Sequence, residues 1–129
     1  MDFNLKDEHY LIQKTARDFA SNELLPEAVD RDREKRWPLN EVKKMSKLGF
    51  MGMMVDQNYN GGGMDCISYT IAMEEIAKAD ASAAVIMSVN NSLVCSIFEK
   101  YGSKFQKEKF LKKLTIGEML GAFSLSEPQ

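Results

Sequence analysis

The sequence of 129 residues has only two cysteines, Cys66 and Cys95, and a single histidine, His9. Two cysteines are too few for a disulfide-stapled fold, and Cys95 stands in an apolar run, where a thiol behaves as a small hydrophobic side chain. No cysteine, histidine or carboxylate cluster with metal-ligand spacing surrounds His9 in the sequence. These shortages exclude a disulfide scaffold and favour a reducing compartment. They also predict that His9 lies on the surface and that the chain holds no metal.

The sequence also lacks a basic region. Seventeen lysines and arginines stand against nineteen acidic residues, which gives a net charge of −2 and a pI near 5.5. In the most charged stretch, residues 31–36, the two signs alternate as on a solvated face, so no nucleic-acid partner is expected. The N-terminus shows no basic segment followed by an apolar run. We therefore expect no export or transit peptide and a cytoplasmic location, with the mitochondrial matrix after processing as the alternative.

The most prominent feature that is present is a run without charge between Asp80 and Glu99. Its length suits a transmembrane span, but four serines and two asparagines interrupt it, and hydrocarbon would leave them without hydrogen-bond partners. We expect no membrane span but a central helix inside a soluble domain, capped by Asp80 or Ser82 and surrounded by other helices. The polar groups of Asn90–Ser92 must bond neighbours, water or a ligand, and satisfied core groups are the commoner case.

Helical signals fill the rest of the chain up to residue 117. Apolar stripes predict further helices over about residues 5–24, 38–48, 65–78 and 103–116. Asp65 stands at an N-cap position, and Ser103 with Gln106 has the spacing of a capping box. The sequence therefore predicts an all-α helical bundle over most of its length.

Two patterns that could suggest a site are interpreted as structural. Residues 59–65 form a glycine-rich loop before a helix, but no strand precedes it and no Lys-Ser/Thr follows it, so a turn is favoured over a phosphate cradle. Glu74 and Glu75 are adjacent on a predicted helix, where they diverge by about 100°. They cannot share one acid–base site, and we expect surface or ion-paired carboxylates.

The hydrophobic period changes at the C-terminal end. From Met119 to Leu125, larger residues alternate with smaller or polar ones, which predicts a β-strand. A lone strand is not stable by itself, so the chain looks cut at the entrance to a β-rich domain. We expect a helical domain over residues 1–117 and the opening strand of a truncated β domain over residues 118–129.

Five segments, in their order along the chain, carry a family resemblance. They are Tyr59–Gly63, Glu74–Ala77, Ser88–Leu93, Tyr101–Ser103 with Gln106-Lys107, and Gly117–Pro128. Together they resemble the acyl-CoA dehydrogenases, in particular the short-chain, butyryl-CoA branch. The resemblance implies an N-terminal α domain, a middle β domain and a C-terminal four-helix domain, assembled as a homo-oligomer around FAD.

The resemblance also implies an activity. Members of this family are flavoprotein oxidoreductases of fatty-acid metabolism that remove an α-proton and a β-hydride from an acyl-CoA thioester. Their electrons pass to an electron-transfer flavoprotein. The glutamate base of the family belongs to the C-terminal domain, so no catalytic residue is expected here and the fragment alone should be inactive.

Site residues follow from the resemblance, position by position. The strand that touches the flavin in the family matches Phe123, Leu125 and Ser126, and the Ser126 hydroxyl suits the isoalloxazine edge. The helix wall that lines the acyl-chain pocket matches Ile86, Val89, Asn90 and Leu93. Two other functions remain open: a helical interaction module without redox chemistry, and a flavoenzyme of the acyl-CoA oxidase type.

Overall fold

The structure, a computed structural model, describes residues 4–128, and over that range it is helical without a β-strand. The α-helices are α1 (Asp7–Phe19), α2 (Ala28–Glu34), α3 (Leu39–Lys47), α4 (Cys66–Ala79), α5 (Ala81–Ser88), α6 (Ser96–Tyr101), α7 (Lys104–Gln106) and α8 (Lys112–Thr115). Stretches of π-helix continue α1 (Ala20–Leu24), join α5 to α6 (Val89–Cys95) and join α7 to α8 (Lys107–Leu111). Short 3-10 turns lie at Leu25–Glu27 and Gln57–Tyr59. The predicted all-α fold class is confirmed.

Local signals set the helix ends as predicted. Asp65 accepts a hydrogen bond from the Ser68 N–H at 2.8 Å and so caps α4, and Asp80 accepts one from the Ala83 N–H at 3.0 Å and caps α5. The predicted capping box before α7 is also formed. After α8 the backbone turns at Gly117 with φ of +68°, a conformation that glycine adopts at little cost. These ends follow from short-range hydrogen bonds and need no distant partner.

The main core lies where α1, α3, α4 and α5 meet the connector between α3 and α4. Its largest fully buried side chains include Leu24, Met45, Met51, Met53, Ile76 and Met87. Methionine is unbranched and flexible, so it fills the irregular space beside a connector with no regular secondary structure. A second cluster, formed by Val55, Cys95, Leu111 and Leu114, packs the C-terminal helices against the same connector.

The continuous helix Ala81–Tyr101, called the central helix below, is covered on one side only within residues 4–128. Val85, Leu93 and Ile97 are 60%, 40% and 43% exposed. The prediction that helices surround it is therefore wrong for this chain, because the described residues pack against one face. By length and composition alone the central helix could cross a membrane, and 33% of its most apolar window is buried in the protein.

The predicted C-terminal strand is not formed. Residues 119–128 are irregular, and Phe123 and Leu125 are 47% and 78% exposed. A strand needs a partner for its ladder of hydrogen bonds, and residues 4–128 contain no other strand to supply one. Gln129, the last residue of the predicted strand, lies outside the described residues. The division of the chain into two domains remains a prediction.

Candidate functional site

Asn91 fastens the central helix to the connector. Its Nδ2 donates to the carbonyls of Phe50 at 2.8 Å and Met87 at 2.9 Å, and its Oδ1 accepts the Met53 N–H at 2.9 Å. The side chain is 2% exposed. The buried connector has no regular secondary structure, so this amide supplies hydrogen bonds that a helix or sheet would otherwise provide.

Asn90 joins three parts of the chain. Its Nδ2 donates to the carbonyls of Met51 at 2.7 Å and Leu114 at 3.1 Å, and its Oδ1 accepts the Gly121 N–H at 2.9 Å. The side chain is 1% exposed, and the Cys95 thiol lies 3.7 Å from Nδ2. Both amide protons are used inside the fold. The structure thus places Asn90 in the core, behind the open face of the central helix.

The other three residues predicted to line an acyl pocket lie towards that open face. Ile86 and Val89 are half-buried, and Leu93 is exposed. Their spacing of three and four residues puts them on one side of the helix. This side is apolar and is left open by residues 4–128, so it can take an apolar chain or a further domain.

The segment after Gly117 crosses the central helix at Gly121. A Cβ on Gly121 would lie 2.6 Å from the side chain of Val94, closer than real atoms approach. Only glycine allows the segment to pass this near the helix. The predicted flavin-contacting residues, Phe123, Leu125 and Ser126, follow this crossing and are all exposed.

These three side chains fit part of a flavin. Phe123 and Leu125 are apolar and can cover a ring, and the Ser126 hydroxyl can donate or accept at its edge. They carry no positive charge, so they offer no counterpart to the diphosphate of FAD. The segment is suited to one edge of the isoalloxazine, and the remainder of the cofactor requires residues outside this segment.

A cleft of about 790 Å³ opens at the start of the central helix. Val85, Ile86 and Trp37, which is 54% exposed, are among its apolar lining residues, and Arg36 is among the charged ones. Of the residues predicted to bind substrate or flavin, Ile86 lines this cleft. Its mixed lining accommodates an apolar group with a polar end.

Arg31, which also lines this cleft, is not singled out by the sequence. It is 3% exposed, and its Nη2 donates to Asp80 Oδ2 at 2.8 Å and to the Leu24 carbonyl at 2.6 Å, while its Nη1 donates to Glu41 Oε1 at 3.3 Å. The arginine thus ties α2 to α3 and to the junction of α4 with the central helix. Nothing in the alternating charges of residues 31–36 distinguishes it from its solvated neighbours.

The prediction that His9 lies on the surface is wrong. It is 2% exposed, its Nδ1 accepts the Lys6 N–H at 3.2 Å, and its Nε2 therefore donates to Asp65 Oδ2 at 3.2 Å. Glu8, His9 and Asp65 bring possible ligand atoms within 4.8 Å of one another. Both ring nitrogens are already engaged in hydrogen bonds, so a metal ion here would have to displace one of them.

Glu75 is ion-paired, which is one of the two alternatives, surface or ion-paired, that the sequence predicts for Glu74 and Glu75. Arg17 donates from Nε to Oε2 at 3.1 Å and from Nη2 to Oε1 at 3.0 Å, and Lys78 donates to Oε1 at 3.1 Å. These bonds, that of Arg17 first, hold the pKa of the Glu75 carboxyl below its usual range. Glu74 is exposed and pairs with Lys78. Glu75 is therefore a structural anion whose oxygens are already occupied.

The glycine-rich loop uses its amides internally. The N–H groups of Gly62 and Gly63 donate to the carbonyls of Gly52 and Val55, each at 2.9 Å. Amides engaged in this way are not free to bind a phosphate. The geometry supports the interpretation of the loop as a turn.

Comparison with known proteins assigns this fold. Residues 6–118 match the family described as "Acyl-CoA dehydrogenase, N-terminal domain". The short-chain specific acyl-CoA dehydrogenase of Bos taurus, a mitochondrial protein by its name, is 47% identical over 124 residues, which are 96% of this chain and 30% of that protein. The short-chain specific acyl-CoA dehydrogenase of Clostridium acetobutylicum is 42% identical over 128 residues, 99% of this chain and 34% of that protein.

Solved structures similar to this chain agree with the family match. The butyryl-CoA dehydrogenase of Megasphaera elsdenii has a TM-score of 0.91 at 38% identity over 99% of this chain and 34% of its own. A chain in a structure described as the electron transferring flavoprotein of Acidaminococcus fermentans gives 0.94 at 36% identity, covering 99% and 34%. An acyl-CoA dehydrogenase complexed with FAD from Bacillus anthracis gives 0.89 at 30% identity, covering 97% and 21%.

The sequence spans about a third of the length of the curated relatives it matches. Within that third, the family match and the structural agreement extend over nearly every residue. The chain therefore belongs to the acyl-CoA dehydrogenase family and corresponds to its N-terminal helical domain.

Proposed function

We propose that this chain is the N-terminal part of an FAD-dependent short-chain acyl-CoA dehydrogenase, which introduces an α,β double bond into an acyl-CoA thioester. The observation that carries the proposal is the apolar face of the central helix, which residues 4–128 leave open in a chain that shares its fold with a butyryl-CoA dehydrogenase. An exposed apolar face of this kind is typical of a ligand or domain interface.

In this proposal Ile86, Val89 and Leu93 form a wall of the acyl-chain pocket, and Asn90 supports that wall from the core. Burial of an acyl chain against such a wall contributes about 0.8 kcal/mol for each methylene group. Because these side chains are rigid or branched, the wall sets a boundary to the pocket and so bears on the acyl-chain length that fits.

Bound FAD would supply the acceptor for the hydride that leaves the substrate β-carbon. Phe123 and Leu125 would exclude water from the flavin ring, and the Ser126 hydroxyl would hydrogen-bond its edge. No residue of this chain is assigned as the base, since Glu75 is held by Arg17 and Lys78. The 129-residue chain alone is therefore proposed to be inactive.

The partners and location are proposed in the same way. An acyl-CoA is the substrate, an electron-transfer flavoprotein takes the electrons, and the complete enzyme is a homo-oligomer. The cytoplasm is the proposed location, with the mitochondrial matrix as the alternative that the bovine relative's name suggests.

The test uses the protein encoded by the complete reading frame. If the reading frame continues into further domains, we expect the purified protein to carry flavin, and butyryl-CoA to bleach it without oxygen. Electron-transfer flavoprotein should then be reduced, while the 129-residue chain gives no turnover. Rapid oxygen consumption instead would identify an acyl-CoA oxidase, and a reading frame that ends without further domains and binds no flavin would favour an interaction module.

A further inference from the structure

The irregular segment at the end of the chain has a well-defined last attachment. The Gly121 N–H donates to Asn90 Oδ1 at 2.9 Å. Among residues 4–128, no hydrogen bond or ion pair joins residues 122–128 to the remainder of the fold. Within residues 4–128, Gly121 is therefore the last residue of the chain that a hydrogen bond holds to the helices.

Two neighbouring positions of the central helix hold Gly121 in place. Asn90 bonds its amide, and Val94, one turn further along on the same side of the helix, fills the space where a Cβ would stand, 2.6 Å away. The hydrogen bond fixes the orientation of the Gly121 N–H, and the packing against Val94 fixes the distance of Gly121 from the helix.

Asn90 itself cannot turn freely. Its Nδ2 donates to two carbonyls from different parts of the chain, those of Met51 at 2.7 Å and Leu114 at 3.1 Å. Because both acceptors require the nitrogen on their side, the oxygen must face Gly121. A flipped amide would remove the 2.7 Å bond to the Met51 carbonyl and turn an N–H group towards the Gly121 N–H, which is costly.

We propose that Asn90 is a positioning residue that fixes the departure of residues 121–128 from the helical domain, and so places Phe123, Leu125 and Ser126. The consequence for flavin binding rests on the proposed function; the positioning itself does not. Asn90 thereby acts on the cofactor side of the site through Gly121 and touches neither flavin nor substrate.

Asn91 provides a matched control for the experiment. It is the same residue type, equally buried, and bonds the same connector, but it has no bond to the terminal segment. Asn90→Ala and Asn91→Ala are compared in the 129-residue chain by hydrogen exchange at Gly121, with core amides of α1 as reference, and by the rate of chymotrypsin cleavage after Phe123.

We expect Asn90→Ala to speed exchange at Gly121 and cleavage after Phe123 by about fivefold beyond the change at the reference amides, the equivalent of one buried hydrogen bond. Asn91→Ala should speed hydrogen exchange at Gly121 by no more than it speeds exchange at the reference amides of α1. Equal effects of the two variants, or an unprotected Gly121 in the unaltered chain, would overturn the proposal.

If Asn90→Ala does not fold, Gly121→Ala replaces it. This variant leaves the Asn90 side chain and its bonds to Met51 and Leu114 intact, but its Cβ displaces the segment from Val94. Faster cleavage after Phe123 supports the positioning role, and an unchanged rate contradicts it.

The consequence for the cofactor is measured in the protein encoded by the complete reading frame. Asn90→Ala should weaken FAD binding by about fivefold more than Asn91→Ala. Faster exchange with unchanged FAD affinity would overturn the inferred effect on the site. If the unaltered protein binds no FAD, the proposed function fails, and exchange at Gly121 in the shorter chain still decides whether Asn90 positions the segment.

Discussion

Helix α4 and the central helix meet at Asp80, yet they bury polar groups of different kinds. On α4, besides the neutral Ser68, a charged group is buried: Glu75, paired with Arg17 of α1. On the central helix the buried groups are the neutral amides of Asn90 and Asn91. The Glu75–Arg17 pair joins helix to helix, whereas both amides join the central helix to the irregular connector, and that of Asn90 also bonds Leu114 of α8.

The difference follows from what each group can bond. A carboxylate only accepts hydrogen bonds, so it suits a cationic side chain that reaches it from the rim. The connector presents carbonyls, at Phe50 and Met51, and an N–H, at Met53. A carboxamide both donates and accepts, and it does so without bringing a net charge into the core. In this chain an ion pair joins α1 to α4, while amides hold the buried part of the connector.

The largest expected effect tests the amide side of this comparison. Asn91→Ala removes three buried hydrogen bonds and leaves backbone groups of the connector unpaired, so we expect a loss of about 4 kcal/mol in the free energy of unfolding. Urea unfolding followed by circular dichroism at 222 nm measures it. Ser92→Ala is the control, because that hydroxyl bonds a carbonyl of its own helix, at Ser88, and its loss should cost under about 1 kcal/mol.

The second effect concerns Arg31 at the junction of the two helices. Arg31→Met keeps much of the side-chain volume but leaves Asp80 and Glu41 without their buried partner, so we expect a loss of about 3 kcal/mol. Arg33→Met is the control, since Arg33 is exposed and, among residues 4–128, its ion pair is with Asp30 at 3.5 Å. The difference in free energy of unfolding between the two variants should persist in about 0.5 M salt, because salt screens buried ion pairs only weakly. Equal stability of the two would contradict a structural role for Arg31.

A smaller effect is expected on the charged side of α4. Glu75→Gln keeps the shape but weakens the bonds from Arg17 and Lys78, and we expect a loss of about 1.5 kcal/mol in thermal or urea unfolding. Its neighbour Glu74, which is exposed, gives the control: Glu74→Gln should change stability by less than about 0.5 kcal/mol. If Glu75→Gln proved as costly as Asn91→Ala, the contrast between charges and amides would fail.

The smallest effect is a pH dependence at the start of α4. Bonds from the Ser68 amide, the Ser68 hydroxyl and His9, in that order, lower the pKa of Asp65 to about 2. An aspartate in an unfolded chain has a pKa near 3.9, so ionised Asp65 stabilises the fold above about pH 4, and this contribution is lost as the pH falls towards about 2.

Asp65→Asn tests this dependence, because asparagine can still cap the helix but does not titrate. Stability measured between pH 2 and 7, roughly, should fall more steeply below about pH 4 for the unaltered chain than for the variant. If the stability of the two proteins changed with pH in parallel, the ionisation of Asp65 would not contribute to the stability of the fold.

The sequence predicted the helices and the family because both depend on local patterns. Asp65, Asp80 and the capping box at Ser103 mark helix starts through bonds to residues within three positions, and the structure forms each of them. The family motifs are likewise contiguous. Such local features can be recognised in the sequence without knowledge of the tertiary fold.

Tertiary structure alone decided that His9 is buried and which groups the buried polar residues bond. His9 and Asp65 are 56 residues apart, and Asn90 and Gly121 are 31 apart, so no local pattern reveals either contact. The terminal segment shows the same limit, since its alternating pattern predicts a strand but residues 4–128 contain no other strand to pair with it. A helix satisfies its own backbone within four residues, whereas a strand or a buried amide needs a partner that only the fold can bring.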